Sequence, residues 1–342
     1  MNKIIYLRDE INKNEFRTPL IPTDINILIK NNFIIYVESS NTRIYQDDEY
    51  INNGAIITYK KWYEDEFKDA LIIGLKQFDN INKLNNHKHI YFAHCYKNQK
   101  GSELILNYFF KSNSIIYDME YFIGLDNKRL ISFGYYAGIV GGFLGLLQYY
   151  YKEKFLIDIS ELKYWSSINE IFEIIFNLKD DFNNLKILII GEKGNCGKGV
   201  SFFLEKYNII YSTLNKKDLK NNLINFDIIF NCINLKDSFD EIWFDNDTIF
   251  NKKMLIIDIS CDYLKHNNPI KLYNKSTTFL KPVFNYNKYV DIIALNNLPS
   301  LLPFDSSNYF SNNFVNILLD IDDKNNYLKN NKNIFLDNYL NL

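Results

Sequence analysis

Short apolar runs of strand length recur along this chain, and the two plainest end in titratable side chains. They are Leu71-Ile-Ile-Gly-Leu-Lys76 and His89-Ile-Tyr-Phe-Ala-His94-Cys-Tyr-Lys97. Runs without polar alternation suit strands buried on both faces, which is the condition of a parallel sheet covered by helices. Further strands are expected at Ile4–Leu7, Ile34–Val37, Ala55–Thr58 and Ile115–Tyr117. Helical patterns fall between them at Thr23–Asn31, with Thr23 as cap, near Asp48–Asn53 and at Ser102–Lys111. A polar stretch at Asp180–Asn184 precedes a second series, with strands at Lys186–Gly191, Ile209–Tyr211, Asp227–Asn231, Leu255–Asp258 and Asp291–Leu295, and a helix at Val200–Lys206. Repeated βα units imply an α/β fold of two doubly wound, Rossmann-like parallel sheets with a cleft between them. The length of 342 residues also favours two domains over one.

Groups at the ends of neighbouring strands line the ligand crevice in such folds. Lys76 and His94 there make a candidate acid–base pair, because burial and neighbours tune both toward neutrality. A snorkelling lysine and a hydrogen-bonded core histidine would read the same way. Cys95 beside His94 suggests a thiol nucleophile, but adjacent strand residues point to opposite faces.

The formal net charge of -2 argues against a nucleic-acid partner driven by bulk electrostatics. Cys95, Cys196, Cys232 and Cys261 lack C-x-x-C spacing, so no metal site is expected. The amino terminus has no apolar signal core, and a reducing, cytoplasmic setting fits best. Asn-rich stretches such as Lys324-Asn-Asn-Tyr and Asn330-Asn-Lys-Asn read as loops.

One segment carries two readings. Ile131–Tyr151 holds no charge, follows Lys128 and Arg129, and spaces Gly134, Gly138 and Gly142 four apart. It is long enough to span a membrane. A buried helix packed through its glycines between two domains explains the same residues.

Gly191-Glu-Lys-Gly194-Asn-Cys-Gly197-Lys-Gly199 follows a strand and opens a helix, the context in which backbone N–H groups approach a pyrophosphate. Its G-x-x-G-x-x-G spacing is one residue longer than the usual fingerprint, and Gly199 stands where a P-loop needs Ser or Thr. The second strand should end in an acid for the adenine ribose, yet Tyr211-Ser212-Thr213 has none. Near the amino terminus, Arg8-Asp-Glu10 and Glu15-Phe-Arg17 follow the first strand. Arg17 is a forked donor suited to a substrate carboxylate, and Glu15 could set the charge state of a nearby lysine. The alternative there is a solvated loop with i,i+2 charge pairs.

In order, these segments resemble the NAD-dependent, L-lysine-forming saccharopine dehydrogenases. The match runs from Arg8-x-Glu10, Glu15-x-Arg17 and Pro22 through Ile73-Gly-Leu-Lys76, Phe92-Ala-His-Cys-Tyr-Lys97-Asn-Gln99 and Tyr117-Asp-Met-Glu120. It continues through Phe133-Gly-Tyr-Tyr-Ala-Gly138, the glycine loop and Asn231-Cys232 to Leu298-Pro-Ser-Leu-Leu-Pro303. The resemblance implies oxidation of saccharopine by NAD to an imine, then hydrolysis to lysine and 2-oxoglutarate. By position, Lys76 takes the amine proton, His94 shuttles protons during hydrolysis, and Glu15 moderates Lys76. Arg17, Lys97, Arg129 and Gln99 are the implied substrate-binding residues. Gly191, Gly194, Asn195, Cys196, Gly197, Ser212, Thr213, Cys232, Asn296 and Leu298 are the implied cofactor-binding residues.

The same resemblance makes residues 1–132 with 299–342 a substrate-binding domain and 133–298 a dinucleotide-binding one. It favours the crossing-helix reading of Ile131–Tyr151, a monomer, and small-molecule partners only, with no membrane and no nucleic acid. It also allows a disulfide between Cys196 and Cys232. Three departures stand out: Ser212-Thr213 for an aspartate, Asn296-Asn297-Leu-Pro for Asp-His-Leu-Pro, and Pro303-Phe-Asp-Ser for Pro-Arg-Glu-Ala. They leave open NADP use, a related opine-type dehydrogenase, or a ligand-binding relative without turnover.

Overall fold

The apolar runs at Lys3–Leu7 (β1), Phe33–Glu38 (β2), Ile56–Thr58 (β3), Leu71–Ile73 (β4), Lys88–Tyr91 (β5) and Ile115–Asp118 (β6) pair into one fully parallel sheet. The computed structural model describes residues 3–96, 101–214, 223–235, 239–321 and 327–340. The strand order is β3-β2-β1-β4-β5-β6, so the direction of winding reverses between β1 and β4. Both strands there are buried along their carboxyl-terminal halves, which explains why their sequences do not alternate.

Helices Pro22–Lys30 (α1), Asp47–Asn52 (α2) and Ser102–Lys111 (α3) connect these strands, and Pro303–Leu319 (α7) and Tyr327–Leu340 (α8) return to the same unit. Thr23 does not cap α1. The helix starts one residue earlier, with Pro22 at its first position and Ile21 outside it. The Ile21 N–H donates instead to Ser311 Oγ at 3.0 Å, and Ser311 donates to Asp24 at 2.5 Å. The loop reading of Asn330–Asn333 is also overturned, since these residues lie inside α8. Of the other Asn-rich stretch, residues 324–326 fall outside the described residues.

The second unit comprises Phe133–Leu302. Its helices are Gly134–Phe155 (α4), Ile168–Phe176 (α5) and Asn195–Glu205 (α6). Its strands are Ile187–Ile190 (β7), Tyr211–Thr213 (β8), Ile228–Asn231 (β9), Met254–Asp258 (β10), Phe284–Asn285 (β11) and Val290–Ile293 (β12). They order as β11-β12-β10-β9-β7-β8, parallel except for the short β11. The winding reverses between β7 and β9. The strand expected at Ile209–Tyr211 lies two residues later, and the Ile209 N–H donates instead to the Leu204 carbonyl at 3.1 Å as the chain leaves α6.

Most of the uncharged segment becomes α4, which belongs to this unit. Its glycines seat it on α6: a Cβ at Gly138 would overlap the Cys196 carbonyl, and one at Gly199 would overlap that of Tyr135. Among the described residues no helix is long and apolar enough to cross a membrane.

Candidate active site

At the β1–β4 reversal the chain builds a buried charged cluster. Arg8 and Glu10 follow β1, and Lys76 follows β4, each within three residues of its strand end. The Glu10 carboxylate accepts from the Leu75 N–H at 2.6 Å and the Lys76 N–H at 3.0 Å. Arg8 lies 3.4 Å from Glu10 and donates through Nη2 to the Lys76 carbonyl oxygen. The backbone bearing Lys76 is therefore gripped on both its N–H and its carbonyl. Gly74 makes this possible, because a Cβ there would occupy the space of the Arg8 guanidinium. Sequence reasoning gave Arg8 and Glu10 no role; their position just past β1 was the available signal.

Glu15 and Arg17, read as serving different partners, hold each other. Arg17 Nε and Nη2 each donate to a Glu15 carboxylate oxygen at 2.7 Å, and both side chains are buried. The solvated-loop alternative is excluded by that burial. Lys76 lies within electrostatic reach of both. Burial lowers its pKa below the ordinary lysine value and Arg17 lowers it further, while Glu15 and Glu10 oppose the shift.

His94 stands three residues past β5 in the left-handed region, at φ 50°. That backbone turn, rather than strand alternation, separates it from Cys95. Burial pushes the Cys95 thiol well above its usual pKa, so it is a poor nucleophile. The half-exposed His94 ring stacks 6.0 Å from Phe92, and its Nδ1 is 3.6 Å from Glu120 Oε1. Arg129 Nη2 is 3.5 Å from the same oxygen. Glu120 is thus the hub of this cluster, quoted in the family motif without a role. Lys97 and Gln99 lie outside the described residues.

In the second unit, the glycine loop turns at the β7–β9 reversal. Gly191 takes φ 87°, the Gly194 N–H donates to the Gly191 carbonyl at 3.1 Å, and α6 begins at Asn195, five residues before the helix expected from Val200. A Cβ on Gly197 would run into the backbone of Gly191 and Glu192. Cys196 and Cys232 are free thiols close enough to hydrogen-bond, with the Cys232 N–H on Ile190 O at 2.9 Å. Ser212 and Thr213 are exposed at the end of β8. Asn296 is exposed, whereas Leu298 is buried in the core with Leu301 and Leu302. The glycine cradle at a helix N-terminus fits a dinucleotide pyrophosphate.

The family model for the alanine dehydrogenase/PNT N-terminal domain matches residues 6–140. Saccharopine dehydrogenase [NAD(+), L-lysine-forming] of Candida glabrata is 34% identical over 92% of this chain and 91% of its own length. The chain belongs to this family. The Schizosaccharomyces pombe member is 31% identical and covers 94% of each chain. Among solved structures, an L-alanine dehydrogenase superposes with a TM-score of 0.68 at 12% identity, over 97% of this chain and 94% of that one. A transhydrogenase from Sinorhizobium meliloti gives 0.66, also at 12% identity, over 92% of each. These two likenesses speak to the fold alone. For the saccharopine dehydrogenase family, the fold therefore carries the doubly wound α/β architecture expected from the sequence.

Proposed function

We propose that the chain acts as an NAD-dependent, L-lysine-forming saccharopine dehydrogenase, with Lys76 and His94 as its proton-handling groups. NAD, held at the glycine loop of α6, supplies the hydride acceptor. Neutral Lys76 removes the proton of saccharopine's secondary amine as the adjacent C–H bond gives up its hydride, and the product is an imine. His94 then takes a proton from water as its oxygen adds to the imine carbon. His94 passes that proton to the nitrogen to give a neutral carbinolamine, then takes the hydroxyl proton and delivers it to the nitrogen as the C–N bond breaks, giving lysine and 2-oxoglutarate. Arg17 and Arg129 attract the substrate carboxylates, and residues 97 and 99 are further candidates for that role.

The observation that carries this reading is Lys76 itself. A lysine at a strand switch point, gripped at its backbone by Arg8 and Glu10, with its charge disfavoured by burial and Arg17, is poised as a base. The four cysteines show no C-x-x-C spacing, and a reducing, cytoplasmic compartment fits the sequence best. Purified protein given saccharopine and NAD should generate NADH absorbance, and Lys76→Met or His94→Gln should slow it by on the order of a hundredfold or more. Binding of both compounds without turnover would overturn the proposal. NADP is a second acceptor to test, because the exposed Ser212 and Thr213 offer no carboxylate to repel a 2′-phosphate.

A further inference from the structure

We propose that Asn331, in the middle of α8, is a positioning residue for the Glu120–His94–Arg129 cluster. The inference rests on reading that cluster as the proton-handling end of the saccharopine site. β6 is the edge strand of its sheet, so among the described residues one side of its backbone has no strand neighbour. At its last residue, Asp118, the side chain of Asn331 takes that place. Asn331 Oδ1 accepts from the Asp118 N–H at 2.8 Å, and Nδ2 donates to the Asp118 carbonyl at 2.9 Å. One side-chain amide thus copies the pairing a further strand would give.

Asn is a poor helix former, and an amide buried without partners costs free energy. Asn331 and Asp118 are both 0% exposed. An apolar residue would fill the same space without that requirement, so the amide is there for what it fixes. What it fixes lies two residues on. Asp118 Oδ1 accepts from the Glu120 N–H at 2.9 Å and opens the short turn Met119–Tyr121 that aims Glu120. Glu120 Oε1 then meets His94 Nδ1 at 3.6 Å and Arg129 Nη2 at 3.5 Å. The relay runs from α8 through the Asp118 backbone and two carboxylates, those of Asp118 and Glu120, to the His94 imidazole.

The test compares Asn331→Ala with Phe335→Leu in the full chain. Phe335 is a buried residue of the same helix that packs on Phe109, and its side chain has no polar atom to join the relay. Both variants should lower the melting temperature. At a temperature where both are folded, only Asn331→Ala should lose kcat, by on the order of tenfold or more. Its loss and that of Glu120→Gln should be sub-additive in a double-mutant cycle, because the two act as one unit. NMR of ring-labelled histidine gives a readout independent of turnover: the His94 resonance should move in Asn331→Ala and stay in Phe335→Leu. An unmoved His94 resonance with unchanged kcat would overturn the proposal. An inactive wild-type enzyme whose His94 signal still responds to Asn331→Ala would instead overturn the saccharopine reading and leave the relay standing.

Discussion

Glu15 and Arg17 form a closed fork, with two N–H···O bonds of 2.7 Å between side chains that are both out of water. The pair brings opposite charges to Lys76 at once: Arg17 disfavours the ammonium and Glu15 favours it. Glu15 therefore acts on Lys76 in two ways, directly and by holding Arg17.

Replacing Glu15 by Gln removes the charge that favours the Lys76 ammonium and leaves Arg17 less neutralised. Both changes push the Lys76 pKa further down. Lys76 acts as a base when neutral, so the rising limb of kcat/KM against pH for saccharopine oxidation should move to lower pH. A limb that moves to higher pH would show that Glu15 does not stabilise the lysine charge. Breaking a buried pair from one side costs about 3 kcal/mol, so the variant should also melt earlier.

Gly74→Ala tests the grip on the Lys76 backbone. The new Cβ would fall on the Arg8 guanidinium, which is 3% exposed and has Phe78 5.4 Å from its Cζ. Arg8 must shift, and the bond to the Lys76 carbonyl goes with it. We expect a loss of about 1–3 kcal/mol in thermal unfolding and a fall in kcat larger than any rise in KM. Unchanged unfolding and turnover would mean that Arg8 does not need its present position.

Much of this was legible because the signals are local. Strands β1, β2, β4, β5, β9 and β10 announce themselves as apolar runs, and Lys76 and His94 lie just past two of them. Glu10 and Arg8 were less legible because their importance depends on β1 and β4 being neighbours, a contact across 66 residues in the Glu10–Lys76 bond. Asn331 was misread for the same reason. An Asn-rich stretch looks like a loop until a strand end 213 residues away needs its amide. The start of α1 went astray because its backbone N–H is satisfied by Ser311, from a helix far along the chain.

Gly197→Ala addresses the cofactor loop. Its Cβ would collide with backbone at Gly191 and Glu192, neither of which can yield as a side-chain end would. The turn across the α6 N-terminus must open, and NAD affinity should fall by on the order of tenfold or more in direct titration. Binding of NAD unchanged from wild type would place the pyrophosphate elsewhere.

Thr213→Asp asks what the missing ribose acid does. Thr213 is exposed at the end of β8, aligned with Ile189 of β7, where an acid selects the free 2′-hydroxyl and repels a 2′-phosphate. A nearby acid, Glu205, already accepts from Tyr211 Oη at 2.6 Å and is thereby turned toward β8's own ring. Wild-type protein should then use NADP with kcat/KM within about tenfold of NAD, since Ser212 and Thr213 bring no carboxylate against the phosphate. Thr213→Asp should cut NADP use by a further tenfold or so through like-charge repulsion while leaving NAD use nearly intact. Steady-state kinetics with both cofactors decide it. A wild-type preference for NAD of about a thousandfold, unaffected by the substitution, would mean that selection is made by groups other than Ser212 and Thr213.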